Sequence, residues 1–298
     1  MTTWLVTGAA GRLGREFVGL LHSLGEPVVP ATKAVLDVTD GRAVEAAVAS
    51  IARMAAGDPG DPVVVNLAAV TDVDGAEVDE AGARAVNAHG VANVARACER
   101  ADVRMIQLST DYVFDGSSRQ PYPEDAPIAP ATAYGRTKAE GERVVLEALP
   151  DTSVIIRTGW TYGAYGRSFV STMVEFAARR DEVEVIDDQR GQPTWTFDLA
   201  TRIYDIGRLL SASAVSGVLH ATNSGSTSWY GLARAVFAEL GVDPDRVRPI
   251  TSDEMPRLAP RPPYSVLAQD RWAQLGMEPM RPWRQALSAA APTVLTGR

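Results

Sequence analysis

The 298-residue sequence predicts an α/β protein: a doubly wound parallel sheet with a smaller α/β lobe in its C-terminal half. Three observations carry this expectation. Short β-branched runs alternate with helical stretches through the first half, which is the rhythm of consecutive βαβ units. A glycine-rich turn, TGAAGRLG (7–14), joins the first of these runs to the first helical stretch. After residue 160 the rhythm loosens, and prolines gather in PRLAPRPP (256–263).

In chain order, TWLVT (3–7) reads as the first strand and 12–24 as the first helix. PVVP (27–30) is a short second strand. RAVEAAVASIARM (42–54) has helical apolar spacing and runs into AAGDPGDP (55–62), a loop by its glycine and proline content. VVVNLA (63–68) is a buried strand, because a short β-branched run suits a sheet covered on both faces. A long helix is expected over 79–100, a strand at RMIQLST (104–110), a helix over 132–148 and a strand at SVIIRT (153–158). Further on, helices are expected at 168–180, 197–211 and 228–240, with strands at VEVID (183–187) and GVLHAT (217–222). The last eight residues are expected to fray.

Composition narrows the function. Hydrophobic residues at 46% provide a large core, which excludes disorder as the main state. The net charge, 29 − 37 = −8, opposes general nucleic-acid binding. No run reaches the roughly 18 apolar residues of a membrane helix. The opening MTTWLVTGAAG lacks a basic and a long apolar region, so a cytoplasmic location is expected. Cys98 stands alone, so no disulfide framework forms, and it reads as a small buried residue. His22, His89 and His220 have no metal-like spacing, and no metal is expected. Asp74 and Glu77 read as helix-start carboxylates. Trp195 and Trp229 read as packing aromatics.

Gly8, Gly11 and Gly14 have the spacing G-x-x-G-x-x-G between strand and helix. Glycines there allow a tight turn and close approach of backbone to a pyrophosphate, and the helix N-terminus offers free N–H groups. The fold is therefore Rossmann-like. Residues 1–160 are the expected dinucleotide-binding domain, completed by about 195–222, and 161–298 mainly form a substrate-binding lobe. The acid that binds a ribose 2′-hydroxyl should follow about 20 residues later. Ala31, Thr32 and Lys33 stand there, with no carboxylate. Thr32 and Lys33, helped by Arg12, suit a 2′-phosphate. NADPH is thus the expected cofactor, with NADH still open. Asp37, in LDVTD, suits the adenine end or a helix cap.

AYGRTKAEGE places Tyr134 and Lys138 one turn apart, on one helix face. A nearby ammonium favours the phenolate and makes a tyrosine a better acid–base group. Such a tyrosine can protonate an alkoxide as hydride reaches a carbonyl carbon. Thr110, at the end of a preceding strand, offers a hydroxyl to the same oxygen.

These motifs, with VVNLAAVTDVDGAE, Val86–Asn87, STDYVFDG, IRTGWTYG, DDQRGQPT and TSWY, make the sequence resemble the dTDP-4-dehydrorhamnose reductase family of extended short-chain dehydrogenases/reductases. The resemblance runs from residue 5 to about 231, with a weaker echo in APRPPYSVL (259–267). It implies that Gly8, Gly11, Arg12, Leu13 and Gly14 line the pyrophosphate. It places Asp37 and Val38 beside the adenine, and Ala68, Ala69 and Thr71 along the cofactor. It implies Tyr134 as proton donor and Lys138 as holder of the nicotinamide ribose. It implies that Thr110, Asp111 and Trp160 touch the sugar. Arg261 could meet the nucleotide diphosphate, since arginine bonds phosphate bidentately; the plainer reading is a solvated loop residue. The sequence departs from the family where Thr161 replaces the aliphatic residue after the tryptophan.

The implied activity is reduction of the C4 ketone of a dTDP-4-keto-6-deoxy sugar. The expected partner is that nucleotide-diphosphate sugar, and a homodimer is open. Two other readings share the scaffold. One is a nucleotide-sugar epimerase or dehydratase; Tyr112 stands where dehydratases carry a glutamate, which opposes dehydration. The other is an NADP-binding regulatory subunit of methionine adenosyltransferase type.

Overall fold

A computed structural model of the chain describes residues 1–56, 61–212 and 214–296. Part of the loop expected at 55–62 therefore lies outside the described residues. Six strands form one wholly parallel sheet: β1 (Trp4–Thr7), β2 (Val28–Ala31), β3 (Val63–Asn66), β4 (Arg104–Thr110), β5 (Ser153–Thr158) and β6 (Gly217–His220). Their spatial order is β2-β1-β3-β4-β5-β6. The order reverses beside β1, and ligands of open α/β sheets bind at the carboxyl ends of strands at such a reversal.

Side-chain alternation explains why the sheet is covered on both faces. Trp4, Val6, Val63, Val65, Ile106, Val154 and Ile156 point into one core, with Phe17, Leu199 and Ile203 from the helices Arg12–Ser23 and Thr196–Ser211. Leu5, Val64, Met105 and Ile155 point into the other, against Gly41–Met54, Val91–Ala101 and Ala133–Ala148. Each such fully buried side chain stabilises the fold by about 1.5–3 kcal/mol. The chain leaves this layer after β5 and returns to it with Thr196–Ser211 and β6. Between and after these excursions it builds a third core from Phe169–Arg179, Trp229–Glu239 and Trp283–Val294, with Val183–Ile186 paired to Val247–Ile250.

The long helix expected over 79–100 is present over 80–101, with a π turn at Ala85–Gly90. A separate short helix, Val73–Val78, precedes it. The Asp79 side chain accepts the Gly82 N–H and so starts the long helix, as Asp72 does for Gly75 and the short one. Two expectations are corrected. The last eight residues do not fray throughout, because helix continues to Val294, and Val294 and Leu295 are buried; 297–298 lie outside the described residues. The strand Val247–Ile250 and the helices Asp270–Gln274 and Trp283–Val294 add to the expected elements. Among the described residues no helix is long and apolar enough to cross a membrane.

Candidate active site

The glycine turn sits at the sheet's reversal point. Gly8 has φ +63°, and a Cβ there would lie 2.7 Å from the Ala68 nitrogen in the turn after β3. A Cβ on Gly14 would lie 2.3 Å from the Gly8 carbonyl oxygen. Gly11 caps Arg12–Ser23 without any side-chain bond to the helix's first N–H groups. The turn is thus a backbone cradle with donor groups left for an anion, which fits a dinucleotide pyrophosphate.

A cleft of about 470 Å³ opens from this cradle. It brings Gly8, Gly11, Arg12, Leu13 and Gly14 together with Ala69 and Thr71 from the β3 loop. Thr110, Asp111, Tyr134 and Trp160 close its other end. Ala68 lies against Gly8, and its N–H donates to Thr7 Oγ1 at 3.4 Å. The β3 loop is held by the buried Asn87 of the π turn, which accepts the Val70 N–H at 2.9 Å and donates to its carbonyl at 3.0 Å.

Not every expected cofactor residue faces the cleft in the expected way. The Arg12 guanidinium donates to the carbonyls of Thr161 (2.9 Å), Tyr165 (3.1 Å) and Arg167, so it ties the glycine turn to the segment after β5. Thr32 and the exposed Lys33 sit at the end of β2, where the Ala31 carbonyl accepts the Ala9 N–H of the glycine turn. Asp37 accepts from the Thr39 N–H and hydroxyl, and these bonds hold its carboxyl below the usual range. Val38 is buried against Gly90.

Tyr134 stands in the first turn of Ala133–Ala148, capped by the Thr132 side chain on the Gly135 N–H. A Cβ on Gly135 would come 2.2 Å from the Tyr112 carbonyl oxygen, so glycine lets the Asp111–Val113 turn approach the helix. Burial pushes the Tyr134 phenol up to about 12, and its hydrogen bond with Thr110 opposes that shift. The phenol therefore keeps its proton at neutral pH. Lys138 is buried, and its ammonium donates to the Leu108 carbonyl at 2.6 Å. Desolvation brings it down to about 8. A polar chain leads to the same carbonyl across the sheet: Thr7 Oγ1 to Asn66 at 2.5 Å, Asn66 to Gln107 at 2.7 Å, and Gln107 to Leu108 O at 2.8 Å.

Asp111 accepts from Thr110 Oγ1 at 3.0 Å, and burial raises its carboxyl to about 6. A Cβ on Gly159 would lie 2.6 Å from the Asp111 carboxylate, so this glycine makes room for it. Trp160 has φ +48°, a backbone cost typical of functional sites. Its ring stacks on Trp229 at 3.5 Å and covers Gly191.

Beyond this stack lies a second cavity of about 760 Å³, with Phe169, Phe176 and Trp229 beside Arg180, Arg257 and Arg261. Tyr112 borders both cavities. Arg261 is not a solvated loop residue: it pairs with Asp74 at 2.6 and 3.1 Å. Asp74 and Glu77 are correspondingly more than helix-start charges, since Glu77 accepts the Ala133 N–H ahead of Tyr134. Trp229 is both a packing residue and a cavity wall. Cys98 is buried, as expected. Among the described residues no group of three or more His, Cys, Asp or Glu could hold a metal.

Sequence reading passed over Glu142, although it lies one further turn along the face of Tyr134 and Lys138. Its partner Arg157, on β5, carried no local signal.

Comparison with known proteins agrees with this geometry. The model of the family described as RmlD substrate binding domain matches residues 1–295. The dTDP-4-dehydrorhamnose reductase of Streptomyces griseus is 51% identical over 296 residues, which is 99% of this chain and 94% of that one. The dTDP-4-keto-6-deoxy-D-glucose reductase of Streptomyces niveus is 47% identical, over 97% of this chain and 96% of that one. The crystal structure of a Bacillus anthracis dTDP-4-dehydrorhamnose reductase in complex with NADP superposes with a TM-score of 0.89 at 32% identity, covering 97% of this chain and 99% of that one. The chain belongs to the dTDP-4-dehydrorhamnose reductase family of oxidoreductases.

Proposed function

We propose that this protein reduces the C4 ketone of a dTDP-4-keto-6-deoxy sugar with NADPH, Tyr134 giving the proton. The observation that carries the reading is the placement of a protonated Tyr134 between the glycine cradle and the Thr110–Asp111 corner, in one cleft. The cofactor, when bound, supplies the hydride. The chain's residues do the rest. The cradle and β3 loop hold the dinucleotide, and Lys138 holds its nicotinamide ribose. Tyr134 points its hydroxyl at the ketone oxygen and protonates it as negative charge develops, and the Thr110 hydroxyl turns from Asp111 to the same oxygen. Asp111 and Trp160 fix the sugar ring. The nucleotide end lies in the larger cavity, where aromatic rings flank arginines suited to a diphosphate. Binding at that end places the ketone for transfer.

The test is NADPH oxidation with dTDP-4-keto-6-deoxy sugar made by a 4,6-dehydratase, with and without a 3,5-epimerase. Consumption only after epimerisation identifies the rhamnose precursor as substrate. Consumption without it identifies the unepimerised sugar, in line with the Streptomyces niveus relative. Tight NADP binding with no consumption of either sugar overturns the reductase reading and favours a regulatory subunit.

Cofactor choice has its own test. The exposed Lys33 beside Thr32 is assigned to the 2′-phosphate. Lys33→Ala is expected to raise KM for NADPH about tenfold, the loss of one charge-assisted bond, and to leave KM for NADH unchanged. Equal effects on both cofactors would contradict the assignment.

A further inference from the structure

Three consecutive residues of β4 meet one face of the helix Ala133–Ala148. The Leu108 carbonyl accepts from Lys138, the Ser109 hydroxyl donates to Glu142, and Thr110 bonds Tyr134. Glu142 is one turn beyond Lys138 and only 2% exposed. Arg157, beside Ser109 in the β4–β5 register, grips both carboxylate oxygens, with Nη2 at 2.7 Å and Nε at 3.0 and 3.2 Å. Arg157 also donates to the Glu124 carbonyl at 3.2 Å. Taking two charges out of water offsets most of what their attraction returns, and apolar replacements of buried pairs are often as stable. Stability alone therefore does not account for a carboxylate here.

We propose that Glu142 is a positioning residue for Lys138: pinned by Ser109 and Arg157, its carboxylate seats the helix on β4 and keeps the lysine as an ammonium against the Leu108 carbonyl. This rests on the assignment of Lys138 to the active site. Tyr134 shares the helix face, Asp111 and Tyr112 follow β4, and Arg157 is engaged by Glu142 with the buried His220 ring nitrogen 3.5 Å from its Nη1. Glu77, Glu80 and Arg84 meet the helix at Ala133, Arg136 and Glu140, on its opposite side. His89, Arg96, Glu99 and Arg100 are exposed. Beside the Leu108 carbonyl, Glu142 is the charged group that favours the ammonium.

The chain has only two lysines, Lys33 and Lys138, so side-chain signals from isotope-labelled lysine report each one separately. In the unmodified protein Lys138 is expected to titrate near pH 8. In Glu142→Gln, Lys138 is expected to titrate about one pH unit lower, the effect of losing a close opposite charge. Because that variant strands a buried arginine, Glu142→Gln with Arg157→Gln is measured too, and the same direction is expected. The kcat profile should follow: the loss is about fivefold at pH 8 and under about 1.5-fold at pH 6.5, from the lower fraction of ammonium. An unchanged Lys138 titration in both variants overturns the proposal. The titration needs neither cofactor nor sugar, so it is independent of the reductase reading: a shifted Lys138 in a protein that reduces no sugar supports the coupling while sinking that reading.

Discussion

Replacing Tyr134 by phenylalanine is expected to lower kcat by about 10²–10⁴-fold, the range removed with a general acid. The ring stays, so its edge-on contact with Tyr112 at 5.7 Å persists, and the fold should be unaffected. Dinucleotide binding should also be retained, because the cradle and Lys138 are untouched. The loss should not recover at any pH, since no other group donates at that position; Asp111, raised to about 6, is mostly ionised at neutral pH. Steady-state kinetics beside a dinucleotide titration checks this. A variant within tenfold of the parent would remove Tyr134 from the mechanism. Among the native protein's own groups, Lys138 sets the alkaline side: its ammonium is lost as pH rises through about 8, and kcat should fall with it.

Gly8→Ala is the substitution expected to damage dinucleotide binding most. Two penalties coincide there. A side chain at φ +63° costs about 1–3 kcal/mol in backbone conformation alone. The new methyl would also lie 2.7 Å from the Ala68 nitrogen and the Leu67 carbonyl carbon, both main-chain atoms that no rotamer change can move. The turn must open, and the free N–H groups at the start of the first helix move with it. Thermal unfolding should shift down by several degrees, at about 2–4 °C per kcal/mol for a chain of this size. NADPH affinity should fall more than tenfold. Full-strength binding in a folded Gly8→Ala protein would contradict the cradle.

What could be read from the sequence follows from locality. The glycine turn and the Tyr134–Lys138 pair are local patterns whose spacing alone sets their geometry. Glu142 obeys the same four-residue stride and was legible in principle; it went unread because a carboxylate on a helix usually faces water. The short helix ahead of the long one also had a local signal. Asp72 and Asp79 each stand three residues before a glycine, and each caps a helix. The final helix was harder to see, since Pro292 lies within it.

Other features are pairings between distant segments, and no spacing encodes them. Asp74 and Arg261 lie 187 residues apart, and nothing beside either in the sequence points to the other. Trp160 and Trp229 are separate aromatics until the fold stacks them. Arg12 illustrates a subtler limit. Its place beside the glycines was readable, but its bonds to Thr161 and Tyr165 arise only when the chain after β5 folds back over the turn.

The central claim is transfer of hydride to sugar C4 with proton delivery from Tyr134. The most direct measurement uses NADPH deuterated at the transferring position, a dTDP-4-keto-6-deoxy sugar and mass analysis of the product, with Tyr134→Phe alongside. The account predicts a 4-hydroxy sugar carrying one deuterium on C4, and almost none of it from the variant. A product without deuterium at C4, or the same yield from both proteins, would contradict it.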